Sequence, residues 1–333
     1  MKSLKIRVPA NPDKFAAKTI ETPYGVGATT HGLELQCPRC GGDVPGFVCR
    51  DCGSHLRTIQ DVIHAMPPER VAHHARFVEA CERTHRAQFA SRTTDDFYLD
   101  LPYVSDCSRG GTDWSSRASS FDYLLRRVLK HAVPWDARVL DLGAGNCWLS
   151  YRLALAGYRP CAVDLLTNDQ NGLGAAEHYR NYVPEFFPRI RAELAHLPFR
   201  DNQFHAAIFN ASLHYTEDFE AALCEALRCC KPNGILVICD TPIHWSAENG
   251  GCTEIHRLSN SFETGGSDSS LIANQNHLTD YSLRALEDRL MIRWTVHSPQ
   301  AGMRWTFRRL AARLRNGPQL AEFPLYVARR PHR

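Results

Sequence analysis

The sequence has no long uninterrupted apolar run and no strong excess of charge of one sign. No stretch approaches the roughly 18 apolar residues of a membrane helix, and the opening residues, MKSLKIRVPANPDKF, contain no apolar core of a secretion signal. The 39 basic and 36 acidic side chains leave a formal net charge of +3, which is too small for a protein that coats a polyanion. These absences predict a soluble, cytoplasmic protein.

The sequence also lacks the cysteine pattern of a disulfide framework. Of its 13 cysteines, four have metal-ligand spacing and the other nine occur singly or as the pair Cys229-Cys230. An odd, unpatterned remainder in apolar surroundings is typical of reduced, buried thiols.

Composition and pattern divide the 333 residues into four parts. The 44% hydrophobic and 23% charged content is that of a globular protein. We predict an extended arm, a cysteine segment, a helical cap or linker, and an α/β domain, over residues 1–34, 35–66, 67–132 and 133–333. No internal repeat and no low-complexity tract occurs.

From residue 136 onward, apolar strand patterns alternate with amphipathic helical patterns. The predicted strands include ARVLDL, RPCAVDL, FHAAIFN and GILVICD, and the helices CWLSYRLALAG and EDFEAALCEALRCC. The tail adds a helix, LTDYSLRALEDRL, and a final strand, AEFPLYVARR. This alternation predicts a Rossmann-like α/β fold, with a parallel sheet covered on both faces.

A glycine-containing turn follows the first of these strands, in VLDLGAGNCW. Gly143, Ala144 and Gly145 let the backbone turn tightly and approach a ligand at a helix N-terminus. A dinucleotide site favours a third glycine, and Trp148 stands in its place. The carboxylate of Asp141 would repel a pyrophosphate but attract a cation. S-adenosylmethionine (SAM), which carries a sulfonium, an ammonium and no phosphate, is therefore the predicted cofactor.

Further polar residues follow the next strands at the same edge of the sheet. Asp164, followed by Leu165, ends the second strand, where a carboxylate can bind both ribose hydroxyls. Glu193 and Leu194 follow the third strand, and we predict that they contact the adenine edge and face. Asn210 ends the fourth strand. Open α/β sheets bind ligands at these carboxyl ends.

Together these stretches resemble a known family. Residues 136–240, and more loosely the chain to residue 329, resemble class I SAM-dependent methyltransferases of the ubiquinone-biosynthesis-like, type 11 group. The matching stretches are VLDLGAGNCW, AVDLL, AELAHLPFRDNQFHAAIFNASLHY and CCKPNGILVICD. The resemblance implies a seven-stranded sheet whose last strand is antiparallel, and a cofactor site formed by the residues named above. His205 stands where the family usually has an aspartate, and we interpret it as a tolerated change.

Cys37, Cys40, Cys49 and Cys52 form two Cys-x-x-Cys pairs. Four thiolates suit a tetrahedral zinc ion with no open position, so we predict a structural zinc site. Iron and a redox dithiol pair are the alternatives. The segment resembles the zinc ribbons that precede many bacterial methyltransferases. Ribosomal RNA guanine methyltransferases carry a related element, but it uses histidine as its last ligand.

Several residues are candidates for catalysis or for covering the cofactor. His214, in NASLHYTED, is the predicted base or orienter, the alternative being local packing; Tyr215 and Asp240 are weaker candidates. Aromatic residues before the sheet, with Arg117, either cover SAM or pack within the cap; they are Tyr98, Tyr103 and Trp114.

Two histidine groups and a basic helix carry weaker hypotheses. We expect no second metal at His64, His73, His74 and His85, because they lie beside charged residues on the predicted solvent face. We also expect none at His244, Cys252 and His256, which lie in a predicted loop over the acceptor. The basic helix MRWTFRRLAARLR is interpreted as a solvated face, with a membrane surface or RNA as alternative contacts.

The leading functional hypothesis is a SAM-dependent methyltransferase that modifies oxygen, nitrogen or carbon of a small or medium organic acceptor. The second is an RNA methyltransferase whose ribbon docks RNA. It is disfavoured by the net charge, by the absence of the amide–Pro-Pro–aromatic motif, and by a ribbon with only Arg39 and Arg50 as cations between the outer cysteines. The third is a non-catalytic SAM-binding or zinc-mediated interaction protein. It is disfavoured because all glycine and acidic positions of the predicted cofactor site are occupied.

Overall fold

The computed structural model describes residues 30–89, 94–104, 114–241, 278–299 and 323–332. Most of the predicted arm, the basic helix, and the loop with His244, Cys252 and His256 lie outside these residues. Within the described ranges no helix combines the length and apolar character needed to cross a bilayer. None of the eleven described cysteines forms a disulfide.

Within the described residues, nine strands form one sheet. They are β1 Arg57–Ile59, β2 Val62–His64, β3 Arg138–Leu142, β4 Arg159–Asp164, β5 Arg189–Arg191, β6 Phe204–Asn210, β7 Cys230–Cys239, β8 Thr295–His297 and β9 Leu325–Arg329. Their order across the sheet is β1-β2-β5-β4-β3-β6-β7-β9-β8. The strands from β2 to β7 in this order are mutually parallel, whereas β9 is antiparallel to both of its neighbours and β1 is antiparallel to β2.

The predicted seven-stranded unit is present, but the sheet extends beyond it. The seven strands from β5 to β8 include the single antiparallel strand, β9, that the family resemblance implies. The hairpin β1–β2 adds two strands at the other edge, with Val62 opposite Arg189 and Ile63 opposite Ile190. Both Val62 and Ile63 are buried. The last part of the predicted ribbon therefore continues the main sheet, where it covers an edge that would otherwise expose unpaired backbone groups.

Helices cover both faces of the sheet. The helices are α1 Pro68–Phe89, α2 Asp95–Asp100, α3 Trp114–Tyr123, α4 Lys130–Ala132, α5 Trp148–Leu155, α6 Phe219–Cys229 and α7 Asp280–Leu290, with a π-helical stretch, Leu124–Leu129, joining α3 to α4. One core contains Leu140 and Leu142 of β3 with apolar residues of α6 and α7. The other contains Val139 of β3 with residues of α2, α3 and α5. Successive residues of one strand thus supply both cores, as expected for a sheet buried on both sides.

Two of these helices begin at side-chain caps. Asp218 accepts a hydrogen bond from the backbone of Ala221 at the start of α6. Thr279 and Ser282 form a reciprocal capping box at the start of α7. These bonds satisfy backbone N–H groups that have no partner within the helix.

A buried arginine joins the helical cap to the sheet domain. Arg152 on α5 is 3% exposed. Its Nη2 donates to the carbonyl oxygen of Leu99 at 2.7 Å, and its Nε to that of Leu101 at 2.6 Å. Its guanidinium also lies 5.1 Å from the ring centres of Tyr103 and Tyr151. The end of α2 is therefore attached to α5 by a charged, desolvated group.

We expect Arg152→Ala to lower the free energy of unfolding by about 3 kcal/mol, because it leaves two buried carbonyl groups without their charged donor. Arg159→Ala is the control, since Arg159 forms an exposed ion pair with Asp136 and its loss should cost less than about 1 kcal/mol. Chemical denaturation of both variants measures the difference. Equal effects would show that Arg152 does not hold the cap.

Candidate functional site

The turn after β3 is built on two glycines and on backbone contacts to β4. Gly143 and Gly145 have positive φ angles of 72° and 52°. The N–H groups of Gly143 and Ala144 both donate to the carbonyl oxygen of Val163, at 2.8 and 3.0 Å. A β-carbon at position 143 would lie 2.2 Å from Cβ of Ser212. Glycine is required there both for the backbone angle and for the space.

Asp164, at the end of β4, fixes the turn from the neighbouring strand. Its Oδ2 accepts the N–H of Gly145 and its Oδ1 the N–H of Leu166, both at 2.8 Å. Burial raises the pKa of this carboxyl, while the hydrogen bonds from Leu166 and Gly145 oppose that shift. The carboxylate retains acceptor capacity for a ligand, because it has about four lone-pair positions.

Asp141, inside β3, is a buried carboxyl with one unpartnered oxygen. Its Oδ2 accepts hydrogen bonds from Ser150, at 3.1 Å from the backbone N–H and 2.7 Å from the hydroxyl. Its Oδ1 has no hydrogen-bond partner among the described residues. Burial, and to a smaller extent the charge of Asp164, raises the pKa of Asp141 to about 7, although Ser150 stabilises the ionised form. An unpartnered buried carboxylate oxygen is suited to a cationic ligand.

Glu193, just beyond β5, is held by α1. Arg70 donates to Oε2 through Nη2 at 2.7 Å and to Oε1 through Nε at 3.0 Å, and Nε2 of His74 lies 2.9 Å from Oε2. The Glu193 side chain is 8% exposed. Burial would raise its pKa, but the hydrogen bonds from His74 and Arg70, with the Arg70 charge, hold the pKa low, at about 2. Glu193 is therefore ionised throughout the physiological range.

These groups line one cavity of about 350 Å³, a size found for small-molecule sites. All nine residues of the predicted cofactor site lie in its wall: Asp141, Gly143, Ala144, Gly145, Asp164, Leu165, Glu193, Leu194 and Asn210. They come from the carboxyl ends of β3, β4, β5 and β6, which meet at one edge of the sheet.

One face of the cavity was not predicted. Arg70, His74, Phe77 and Cys81 of α1 line it. The expectation that the histidines of this helix all face solvent is wrong for His74, whose side chain is 11% exposed and contacts Glu193. A helix that docks over a polar cleft buries polar side chains, so its polar face is not its solvent face. His73 is 46% exposed and pairs with Glu217.

A family model described as a methyltransferase domain matches residues 140–238. Demethylmenaquinone methyltransferase of Mycobacterium marinum is 34% identical over 127 residues, which cover 37% of this chain and 51% of the relative. The enzyme of the same name from Streptomyces avermitilis is 33% identical over 123 residues, covering 36% of this chain and 49% of the relative. The chain thus spans about half the length of the curated relatives it matches.

The matched stretch contains the glycine turn, Asp141, Asp164, Glu193 and Asn210. This part of the chain is thus similar to a methyltransferase domain. Among solved structures, geranyl diphosphate C-methyltransferase from Streptomyces coelicolor is similar with a TM-score of 0.48 and 16% identity, covering 65% of this chain and 77% of that chain.

Four residues were predicted either to cover the cofactor or to pack within the cap, and two of them line the cavity. Trp114 and Arg117 line the cavity, and Arg117 lies 5.1 Å from the centre of the Trp114 ring. Tyr98 donates to the carbonyl oxygen of Gln170 at 2.7 Å, and Tyr103 to Asp122 at 2.9 Å. Tyr103 thus packs within the cap, as the alternative interpretation expects, whereas Tyr98 packs against the sheet domain, where its ring stacks on His178.

The predicted catalytic residue, His214, lies on a 3-10 turn, Leu213–Tyr215, after β6. Ser212 and Tyr215 are among the described residues that line the cavity of the methyltransferase domain, but His214 is not. The His214 ring lies 4.1 Å from the Tyr215 ring, centre to centre. Asp240 is buried at the end of β7, and burial raises its pKa while the charge of Arg117 opposes the shift.

His205, which departs from the family pattern, has a structural position in this domain. Its Nδ1 accepts the backbone N–H of Arg138 at 3.1 Å, and its Nε2 lies 3.1 Å from Nζ of Lys231. Burial and the neighbouring Lys231 lower its pKa. The neutral imidazole therefore connects β6 to the start of β3 by accepting a backbone hydrogen bond.

The sulfur atoms of the four predicted metal ligands lie close together. The sulfur atoms of Cys40 and Cys49 are 3.4 Å apart, those of Cys40 and Cys52 3.5 Å, and those of Cys37 and Cys52 3.6 Å. All four lie within 4.8 Å of one another. A tetrahedral zinc ion with Zn–S bonds of about 2.3 Å requires sulfur separations of about 3.8 Å. The cluster is thus close to zinc-binding geometry.

We expect Gly143→Ala to destabilise the methyltransferase domain more than Gly145→Ala. Both changes place a β-carbon at positive φ, which costs about 1–2 kcal/mol, but the nearest neighbour at position 145 is the Asn171 carbonyl oxygen at 3.5 Å. Only position 143 adds a steric clash, and the clash is with Ser212. Thermal unfolding compares the variants. Ser212→Gly should recover part of the loss caused by Gly143→Ala; failure to do so would contradict the steric explanation.

Proposed function

We propose that this chain is a SAM-dependent methyltransferase that modifies oxygen, nitrogen or carbon of a small or medium organic acceptor. The observation that carries the proposal is the cavity in which the glycine turn and three carboxyl groups, those of Asp141, Asp164 and Glu193, converge. The names of the curated relatives, demethylmenaquinone methyltransferases, support an organic acceptor of this size.

The residues fit SAM better than a phosphate-bearing cofactor. Asp141 offers an unpartnered oxygen in a buried wall, and its negative charge suits the ammonium group of the methionine part. In this proposal Asp164 accepts the two ribose hydroxyls, and Glu193, with Leu194 beside it, contacts the adenine. Gly143, Ala144, Gly145, Leu165 and Asn210 complete the proposed site.

Bound SAM supplies a methyl group on a sulfonium, ready for in-line displacement. The protein's contribution is then to orient the acceptor and exclude water. Trp114, Arg117 and Tyr215 are among the residues that line the cavity. A base is needed only where the acceptor's proton must leave. For His214 we propose the role of orienter, because it contacts the ring of the cavity residue Tyr215.

We also propose that Cys37, Cys40, Cys49 and Cys52 bind a structural zinc ion. The sulfur separations support this assignment, as does the absence of an open coordination position in a four-thiolate set. The alternative that this segment docks RNA gains no support from its charges. Arg39 pairs with Glu69, and Asp43 pairs with Arg200, so much of the local charge is neutralised within the chain.

Calorimetric titration with S-adenosylhomocysteine tests the cofactor proposal. Asp164→Ala should weaken binding at least about 100-fold, because each hydrogen bond to a charged group contributes about 1.5–3 kcal/mol. Asp288→Ala is the control, since Asp288 is 86% exposed and pairs with Arg293. Failure of the unaltered protein to bind would refute the proposal. Transfer of labelled methyl from SAM to small molecules, compared with RNA, then separates the acceptor classes.

The pH dependence of the same titration tests the role of Asp141. Its pKa of about 7 means that it is mostly protonated below pH 7, and a cationic ligand requires the ionised form. Affinity for S-adenosylhomocysteine should therefore fall about tenfold from pH 8 to pH 6. Asp141→Asn should bind more weakly at pH 8 and lose most of this dependence. Glu193 does not contribute in this range, because its pKa is about 2. An unchanged pH profile in Asp141→Asn would exclude Asp141 as the ammonium partner.

A further inference from the structure

The loop that carries Glu193 is held at its first end by the chain that follows the cysteines. This loop, residues 192–197, is called the adenine-side loop below. It begins where β5 ends, and β5 pairs with β2 through the Ile63–Ile190 register. The N–H of Ala65 donates to the carbonyl oxygen of Arg191 at 2.9 Å. Residues 62–65 thus fix the backbone immediately before Glu193.

The other end of the loop is held by the chain that precedes the cysteines. The N–H of Gln36 donates to the carbonyl oxygen of Pro198 at 3.0 Å, and the N–H of Arg200 to that of Glu34 at 2.9 Å. Gln203 adds two side-chain bonds to the backbone of Glu34, at 2.6 and 2.7 Å. The two chain segments that flank the four cysteines therefore hold the two ends of the adenine-side loop.

Side chains provide a second connection between the cysteines and this loop. Arg39, between Cys37 and Cys40, pairs with Glu69 in the first turn of α1 at 2.5 Å. The next residue, Arg70, forms the forked contact with Glu193. Asp43, from the same segment, pairs with Arg200 just beyond the loop.

The cysteine segment has almost no apolar core of its own. From residue 34 to residue 55 the only buried side chains are those of Cys37 and Cys49. A segment of this kind obtains its folding energy from a bound metal. Joining the four thiolates would therefore restrain the relative position of the two flanking segments, and with it the backbone at Glu193.

We propose that the cysteine segment is a clamp on the adenine-side loop, so that metal binding at the four cysteines raises the affinity of the cofactor site. The clamp rests on the proposed function, because it requires both the metal site and the cofactor site. Coupling of this kind is reciprocal: the cofactor must raise the affinity for zinc by the factor by which zinc raises the affinity for the cofactor. We expect that factor to lie between about 5 and 150, as is typical of coupled sites.

The experiment measures both halves of this cycle on the full chain. Calorimetry gives the Kd of S-adenosylhomocysteine for zinc-loaded and zinc-stripped protein. Competition with a chromophoric chelator gives the zinc affinity with and without saturating S-adenosylhomocysteine. Two matching factors above about 5 are the expected result. Equal Kd values in the loaded and stripped protein would overturn the clamp.

A charge-matched pair of double variants shows whether the contacts described here carry the coupling. Asp43→Asn with Glu69→Gln removes the two ion pairs that join the cysteine segment to the rest of the described chain, without altering a thiolate. It should still bind one zinc ion, but zinc should improve its cofactor affinity roughly 3-fold less than in the unaltered protein, as expected for two exposed pairs. Glu79→Gln with Asp288→Asn changes the same charges on exposed positions and should behave as the unaltered protein.

The outcomes distinguish the clamp from the proposed cofactor and metal sites on which it rests. Failure of the zinc-loaded protein to bind S-adenosylhomocysteine would overturn the cofactor assignment and the clamp together. Failure to bind one zinc ion would overturn the metal assignment and the clamp, and leave the cofactor site standing. If the zinc-stripped protein unfolds, as circular dichroism will report, the comparison of the two zinc-loaded double variants decides: equal affinities for S-adenosylhomocysteine would exclude the clamp.

Discussion

The hydrogen bonds between the turn after β3 and the end of β4 are the interaction on which the site depends. Val163 accepts two N–H groups of the turn, and the carboxylate of Asp164 accepts that of Gly145. These bonds are possible only because β3 and β4 are adjacent and parallel, so that both strands end at the same height. The same adjacency leaves an open crevice at this edge, which helices and loops then enclose.

The three carboxyl groups of the crevice have different environments, and therefore different affinities for protons. Asp141 is surrounded by the sheet and has a raised pKa, whereas Glu193 is paired with Arg70 and His74 and has a lowered one. A cationic ligand next to Asp141 would replace the water that burial removed. At the other end, Glu193 already has the positive charge of Arg70 beside it, so a neutral group, such as the adenine of the proposed cofactor, suits this position. The charge pattern along the crevice thus matches a ligand that is cationic at one end only.

The N-terminal segments complete this site. The hairpin β1–β2 extends the sheet beside β5, and α1 follows it directly across the mouth of the crevice. The cysteine segment lies between the two strips of backbone that flank the adenine-side loop. The four cysteines of a small segment without a core and the residues of the proposed cofactor site in a large domain are thus parts of one connected structure.

The sequence alone determined the features that depend on local pattern. The order of strands and helices followed from apolar periodicity. The rule that parallel strands present their carboxyl ends at one edge predicted that the nine residues of the proposed cofactor site would lie together, and all nine line one cavity. The spacing of the four cysteines predicted a metal site, because each Cys-x-x-Cys turn brings two thiols together. Only the tertiary structure decided that α1 covers the crevice, because Arg70 and Glu193 are 123 positions apart and no periodicity relates them. The tertiary structure also decided the environment of His74. Its polar neighbours predict a solvent-exposed side chain when the helix is considered alone, but in the docked helix the same polar face lies against a polar crevice.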